Sequence, residues 1–151
     1  MTGLNHAVTG ALVAAAIDKP AIALPAALLS HFATDAIPHW NYKVPGGLRR
    51  RQAIMIVDLI LTLWLLFVLT LVVNASPWLI VAGGLLAVLP DTMWLRFFVI
   101  GKPSITGSRK RLINRLRCFH GWIQWCETTW GIYVEAAWFV LMVFLIINIR
   151  H

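Results

Sequence analysis

Apolar runs separated by a few charged clusters set the pattern of this chain. Gln52–Val73 is the clearest run, with Asp58 its only charge. Trp78–Leu95 follows, apolar as far as Pro90-Asp91, and Trp130–Ile149 is broken only by Glu135. A spanning helix needs roughly 20 apolar residues, and each run reads as one. Two shorter runs, Leu4–Ile17 and Ala21–Ile37, come first and are divided by Asp18-Lys19-Pro20. Proline ends or restarts a helix, so the triplet reads as a tight turn. The two runs are expected to form a helical hairpin, partly re-entrant or packed inside the bundle.

Arg109–Ile123 has a different pattern. Leu112, Leu116, Phe119 and Ile123 recur at spacings of 3 and 4 and make one apolar face, with Arg111, Arg115 and Arg117 elsewhere on the wheel. Such a helix lies in the headgroup plane. The expected fold is one all-α integral membrane domain over residues 1–151. It has about five transmembrane or membrane-embedded helices, near 4–17, 21–38, 52–73, 78–95 and 130–149, and one cytoplasmic interfacial amphipathic helix near 109–123.

Composition supports this. The chain is 60% hydrophobic and 13% charged, against about 45–50% and 25% in soluble domains. That argues against a soluble globule and against disorder. Thirteen Lys and Arg against six Asp and Glu give a net charge of +7. In a soluble protein this excess would suggest nucleic acid. Here the cations gather in two segments: Lys43 with Arg49–Arg51, and Arg96, Lys102, Arg109, Lys110, Arg111, Arg115 and Arg117. The positive-inside rule places both in the cytoplasm, with the N-terminus, and leaves Arg150-His151 outside. Anionic lipid headgroups are the expected partners, and nucleic acid is not. Met1–His6 has no Lys or Arg before the apolar run, so no secretory signal is expected. Cys118 and Cys126 are expected to be reduced thiols.

The remaining polar residues are not scattered. His6, His31, Asp35, His39, Asp58, Asp91, His120 and Glu127 all fall at the cytoplasmic ends or halves of their helices. A charged group in a bilayer costs roughly 2.5–3.5 kcal/mol on insertion scales and usually faces the bundle interior for a function. His31, Asp35 and His39 at i, i+4 and i+8 share one helix face, unless Pro38 ends the helix and frees His39. Imidazole and carboxylate are the donors that hold Zn, Mn or Fe. His6, His31, Asp35, His39 and Asp91 are enough for one metal, or for two. Each has a plainer reading as well. His39 pairs with Trp40 at the interface, and His31 bonds a carbonyl. Asp35 and Asp58 pair with arginines, Asp91 caps a helix, His120 meets headgroups, and Glu127 and Glu135 are structural.

Asn5-His6-Ala7-Val8-Thr9-Gly10, Ser30-His31-Phe32-Ala33-Thr34-Asp35-Ala36-Ile37-Pro38-His39-Trp40 and Leu85-Leu86-Ala87-Val88-Leu89-Pro90-Asp91 resemble segments of a family of small bacterial inner-membrane proteins described as membrane-bound metal-dependent hydrolases. The likeness covers about the first 95 residues and carries His6, His31, Asp35, His39 and Asp91 as matching positions. The chain departs from the family at Met93 and Trp94, where Asp and His often stand. The resemblance implies a metal site at the inner membrane.

Together these observations favour a metal-dependent hydrolase of a lipid or isoprenoid phosphate at the cytoplasmic face. A bound divalent metal (Zn, Mn or Fe) would activate water as the nucleophile. Asp58 or Glu127 would be general base, and Arg96, Lys102, Arg109 and Arg111 would hold the anionic headgroup. Two other classes stay open. One is a non-catalytic metal- or haem-binding subunit of a membrane complex. The other is a small ion-coupled carrier using Asp58 and Glu135, for which the chain would need to form a homo-oligomer.

Overall fold

The computed structural model describes residues 1–40, 47–95, 99 and 112–149, and they are all-helical. Helix α1 spans Gly3–Ile17, α2 Pro20–Asp35, α3 Gly47–Val72 and α4 Pro77–Val88. A 3-10 turn, Leu89–Trp94, continues α4. Helix α5 spans Leu112–Ile123 and α6 spans Gly131–Ile147. The expected turn is present: Asp18 takes the left-handed conformation with φ 50°, its N–H bonds Ala14 O, and Pro20 opens α2.

Helix α1 is the axis of the bundle. From Gly10 onward it is apolar on every side, and such a helix has to be covered all round. Helices α2, α3, α4 and α6 all pack on it. Ala7, Val8 and Ala11 join Leu66, Leu69, Ile80, Met142 and Ile146 in the core.

The closest approach is between α1 and α4, and small residues make it. A Cβ added to Gly10 would lie 2.4 Å from both Gly83 O and the Ala87 Cβ. One added to Gly83 would lie 2.4 Å from the Ala14 Cβ and 2.6 Å from Gly10 O. Helices pack through small residues in this way where van der Waals contact, rather than water, drives association.

The apolar surface faces outward to an unusual degree. Two helical stretches, Gly47–Val72 and Pro77–Trp94, are long and apolar enough to cross a membrane. In α3 only 22% of the most apolar stretch is buried, so the helix is largely uncovered by the rest of the bundle. Trp64, Phe67 and Leu71 stand exposed on it. Helices α1 and α6 are apolar but shorter, so among the described residues two helices, rather than about five, are long enough to cross a membrane. One cause is visible in α2, which stops at Asp35 rather than near residue 38. Pro38 disfavours the helical conformation at Ile37.

Helix α5 also differs from the expectation. Its apolar residues Leu112, Leu116 and Phe119 are exposed, while Asn114 and His120 are its buried residues. The helix turns a polar stripe inward. The remainder of the expected segment, 109–111, lies outside the described residues.

Gly83→Val should separate α1 from α4. Overpacking of this kind costs about 1–3 kcal/mol, read as a lowered unfolding midpoint of the detergent-solubilised protein. An unchanged midpoint would show that the two backbones need not touch.

Candidate metal centre

Four helical elements meet at one end of the bundle. The start of α1 brings His6, and the last turns of α2 bring His31 and Asp35. The 3-10 turn brings Asp91, and α5 brings His120. Ligand atoms of His31, Asp35, Asp91 and His120 all lie within 4.8 Å of one another, a group that could hold a metal ion. The side chains of His6, His31, Asp35 and His120 are fully buried, and that of Asp91 is 27% exposed.

Asp35 is the centre of the group. Its Oδ2 lies 2.9 Å from His120 Nε2 and 3.3 Å from His31 Nε2, and accepts from Gln124 Nε2 at 3.0 Å. Its Oδ1 lies 3.2 Å from His6 Nε2 and touches the Met1 amino group. Asp91 approaches the same three imidazoles at 3.7–3.8 Å. The His6 and His31 rings stack with centroids 4.0 Å apart.

The outer nitrogens fix what two of these rings offer inward. His31 Nδ1 is 2.7 Å from Ala87 O. A carbonyl only accepts, so Nδ1 carries the hydrogen and neutral His31 presents a bare Nε2. His6 Nδ1 is 2.9 Å from Thr34 Oγ1, whose own hydrogen goes to the carbonyls of Ser30 and His31 at 3.1 and 2.8 Å. His6 Nδ1 is therefore the donor, and its Nε2 lone pair also points inward. That atom is buried without a hydrogen-bond partner. The Met1 ammonium bonds Asp35 Oδ1, but the His6 Nε2 lone pair, buried beside two carboxylates, stays unfavourable out of water unless a further cation lies next to it. Outer hydrogen bonds that set the tautomer are also how metal-ligating histidines are usually held. The residues present therefore fit a divalent cation.

The other expected site residues lie elsewhere. His39 is buried, but its Nδ1 bonds Ile37 O at 2.8 Å, and its backbone pairs with the segment before α6 through Cys126 O and Thr128 N. It is not part of the group. Gly131 packs on that backbone so closely that a Cβ would meet His39 C at 2.1 Å. Glu127 sits in this same backbone bridge. Asp58 accepts from Gly3 N at 2.9 Å and Leu4 N at 3.1 Å, which caps the N-terminus of α1. Glu135 does similar work. It accepts from Thr2 N, Thr2 Oγ1 and Asn5 Nδ2 through Oε2, and from Trp40 N through Oε1. Carboxylates are favourable at that positive helix end. Arg96, Lys102, Arg109 and Arg111 fall outside the described residues.

In the sequence His120 falls among the polar residues gathered at one membrane depth, with headgroup contact as its plainer reading. A signal for its place exists in the polar stripe Asn114, Arg117, His120 and Gln124, spaced 3, 3 and 4 along α5 and the residue that follows it. Comparison of the chain with family models, curated proteins and solved structures finds no match.

Elemental analysis of the purified protein, grown with metals supplied, should find bound Zn, Mn or Fe. His31→Ala should lose it. A well-folded protein free of metal would make the group a proton-sharing network instead.

Proposed function

We propose that this protein is a metal-dependent hydrolase of a lipid or isoprenoid phosphate. In this reading all five apolar helices are embedded in a bacterial inner membrane, and the cluster end faces the cytoplasm. One observation carries the proposal: two imidazoles with inward lone pairs and two carboxylates converge at one end of an apolar bundle, and one carboxylate reaches the surface. That depth suits a headgroup phosphate, whereas an ion pathway would favour the midplane.

His6, His31, Asp35 and Asp91 would hold a divalent cation, which would supply Lewis acidity toward water and a phosphoryl oxygen. The chain's residues do the rest. Asp35 and Asp91 supply negative charge, and Ala87 O and Thr34 hold His31 and His6 in one tautomer. A cleft of about 330 Å³ opens beside the α1 N-terminus, lined mainly by apolar side chains such as Leu4, Ile54, Leu61 and Phe139, with Asp58 and Glu135 also in its wall. Its chemistry suits an acyl or prenyl chain. The basic residues Arg96, Lys102, Arg109 and Arg111 would meet the phosphate.

The stacked His6 and His31 rings are too close to hold a porphyrin between them, which disfavours the haem reading. The carrier reading needs Asp58 and Glu135 as coupling groups, yet both serve as caps for α1.

Purified protein with Mn2+ or Zn2+ should release inorganic phosphate from phosphatidic acid or an isoprenyl phosphate in mixed micelles. His31→Ala and Asp35→Ala should fall to the background rate. Undiminished turnover in both variants would refute the proposal.

A further inference from the structure

The three imidazoles of the cluster are not equivalent, and the difference lies at their outer nitrogens. His31 and His6 donate through Nδ1, to Ala87 O and Thr34 Oγ1. His120 does the opposite. The Trp94 indole Nε1 lies 3.0 Å from His120 Nδ1. An indole N–H can only donate, so His120 Nδ1 is the acceptor and carries no hydrogen. Neutral His120 therefore bears its hydrogen on Nε2, the atom that faces the cluster. Two acceptors share that hydrogen, Asp35 Oδ2 and the bare His31 Nε2, each at 2.9 Å. Gln124 Nε2 approaches His120 Nε2 at 3.2 Å, and both act as donors to the same Asp35 oxygen.

We propose that His120 is a positioning residue rather than a metal ligand. Trp94 holds it as an Nε2–H donor that orients Asp35, and His6 supplies the second imidazole ligand beside His31. The inner ligands are then His6, His31, Asp35 and Asp91. His120 could ligate through Nε2 only by breaking the Trp94 bond and moving its hydrogen to Nδ1. The packing opposes that change: Trp94 and His120 rings lie 5.8 Å apart, and Phe32 packs against His120 with centroids 5.7 Å apart. The stripe on α5 thus delivers two N–H donors, His120 and Gln124, to one carboxylate oxygen. This assignment rests on the metal centre proposed above and does not depend on hydrolysis.

The test uses the full chain in detergent, with Co2+ and Zn2+ alone as probes. Ring 15N spectra of the zinc-loaded wild type should show metal-shifted Nε2 atoms for His6 and His31. For His120 they should show a protonated Nε2 and a bare Nδ1. Metal retention should be abolished in His6→Ala and in His31→Ala. It should weaken about 10–100-fold in His120→Ala, the range for loss of an outer-shell partner. His120→Gln, which keeps an amide N–H near the Nε2 position, should regain wild-type affinity and the wild-type cobalt absorption spectrum. A metal-shifted His120 Nε2 would overturn the assignment, as would a His6→Ala protein that keeps its metal while His120→Gln loses it. A wild type that takes up neither ion would instead remove the metal centre itself.

Discussion

The contact between Gly10 and Gly83 is the constraint on which the site depends. It brings the backbones of α1 and α4 closer than any side chain would allow. His6 lies one turn before Gly10, and Asp91 lies two turns beyond Gly83. Close approach of the two helices therefore sets the distance between His6 and Asp91. Ala87 has a part on both sides of this arrangement. Its methyl group is small enough to face Gly10, and its carbonyl fixes the His31 tautomer. Packing and chemistry meet in one residue, so the geometry of the cluster follows from the helix crossing.

Much of the fold is legible in the chain because apolar runs have few alternatives. Asp18-Lys19-Pro20 forms the turn its residues demand, and α1 through α4, with α6, fall close to the runs that announce them. Helix lengths are less legible. Leu4–Ile17 and Gln52–Val73 are both largely apolar, yet α1 is buried in the bundle while α3 is largely uncovered. Periodicity reports which residues are apolar, and a helix apolar on every side gives no face by which to place it.

The site was legible in part for a related reason. His31 and Asp35 at i and i+4 on a regular helix keep their shared face, and they meet as spacing requires. His39 does not, because the helix stops before Pro38 and its ring turns to Ile37 O. Asp58 and Glu135 come to the start of α1, close to the cluster, for another purpose, the capping of α1. Depth alone cannot separate a cap from a ligand. The inward stripe on α5 was hidden because its apolar residues were the more obvious periodic set, and in this protein those residues face outward.

Asp91 differs from the other cluster residues in being partly exposed, and it stands on a 3-10 turn rather than an α-helix. Hydrogen bonds in such turns have poorer geometry. The doorway of the centre is thus built from weaker backbone than its walls. A carboxylate carried on such a turn shifts at lower cost than one held on an α-helix, so an ion in this group would come and go past Asp91 rather than past the buried histidines.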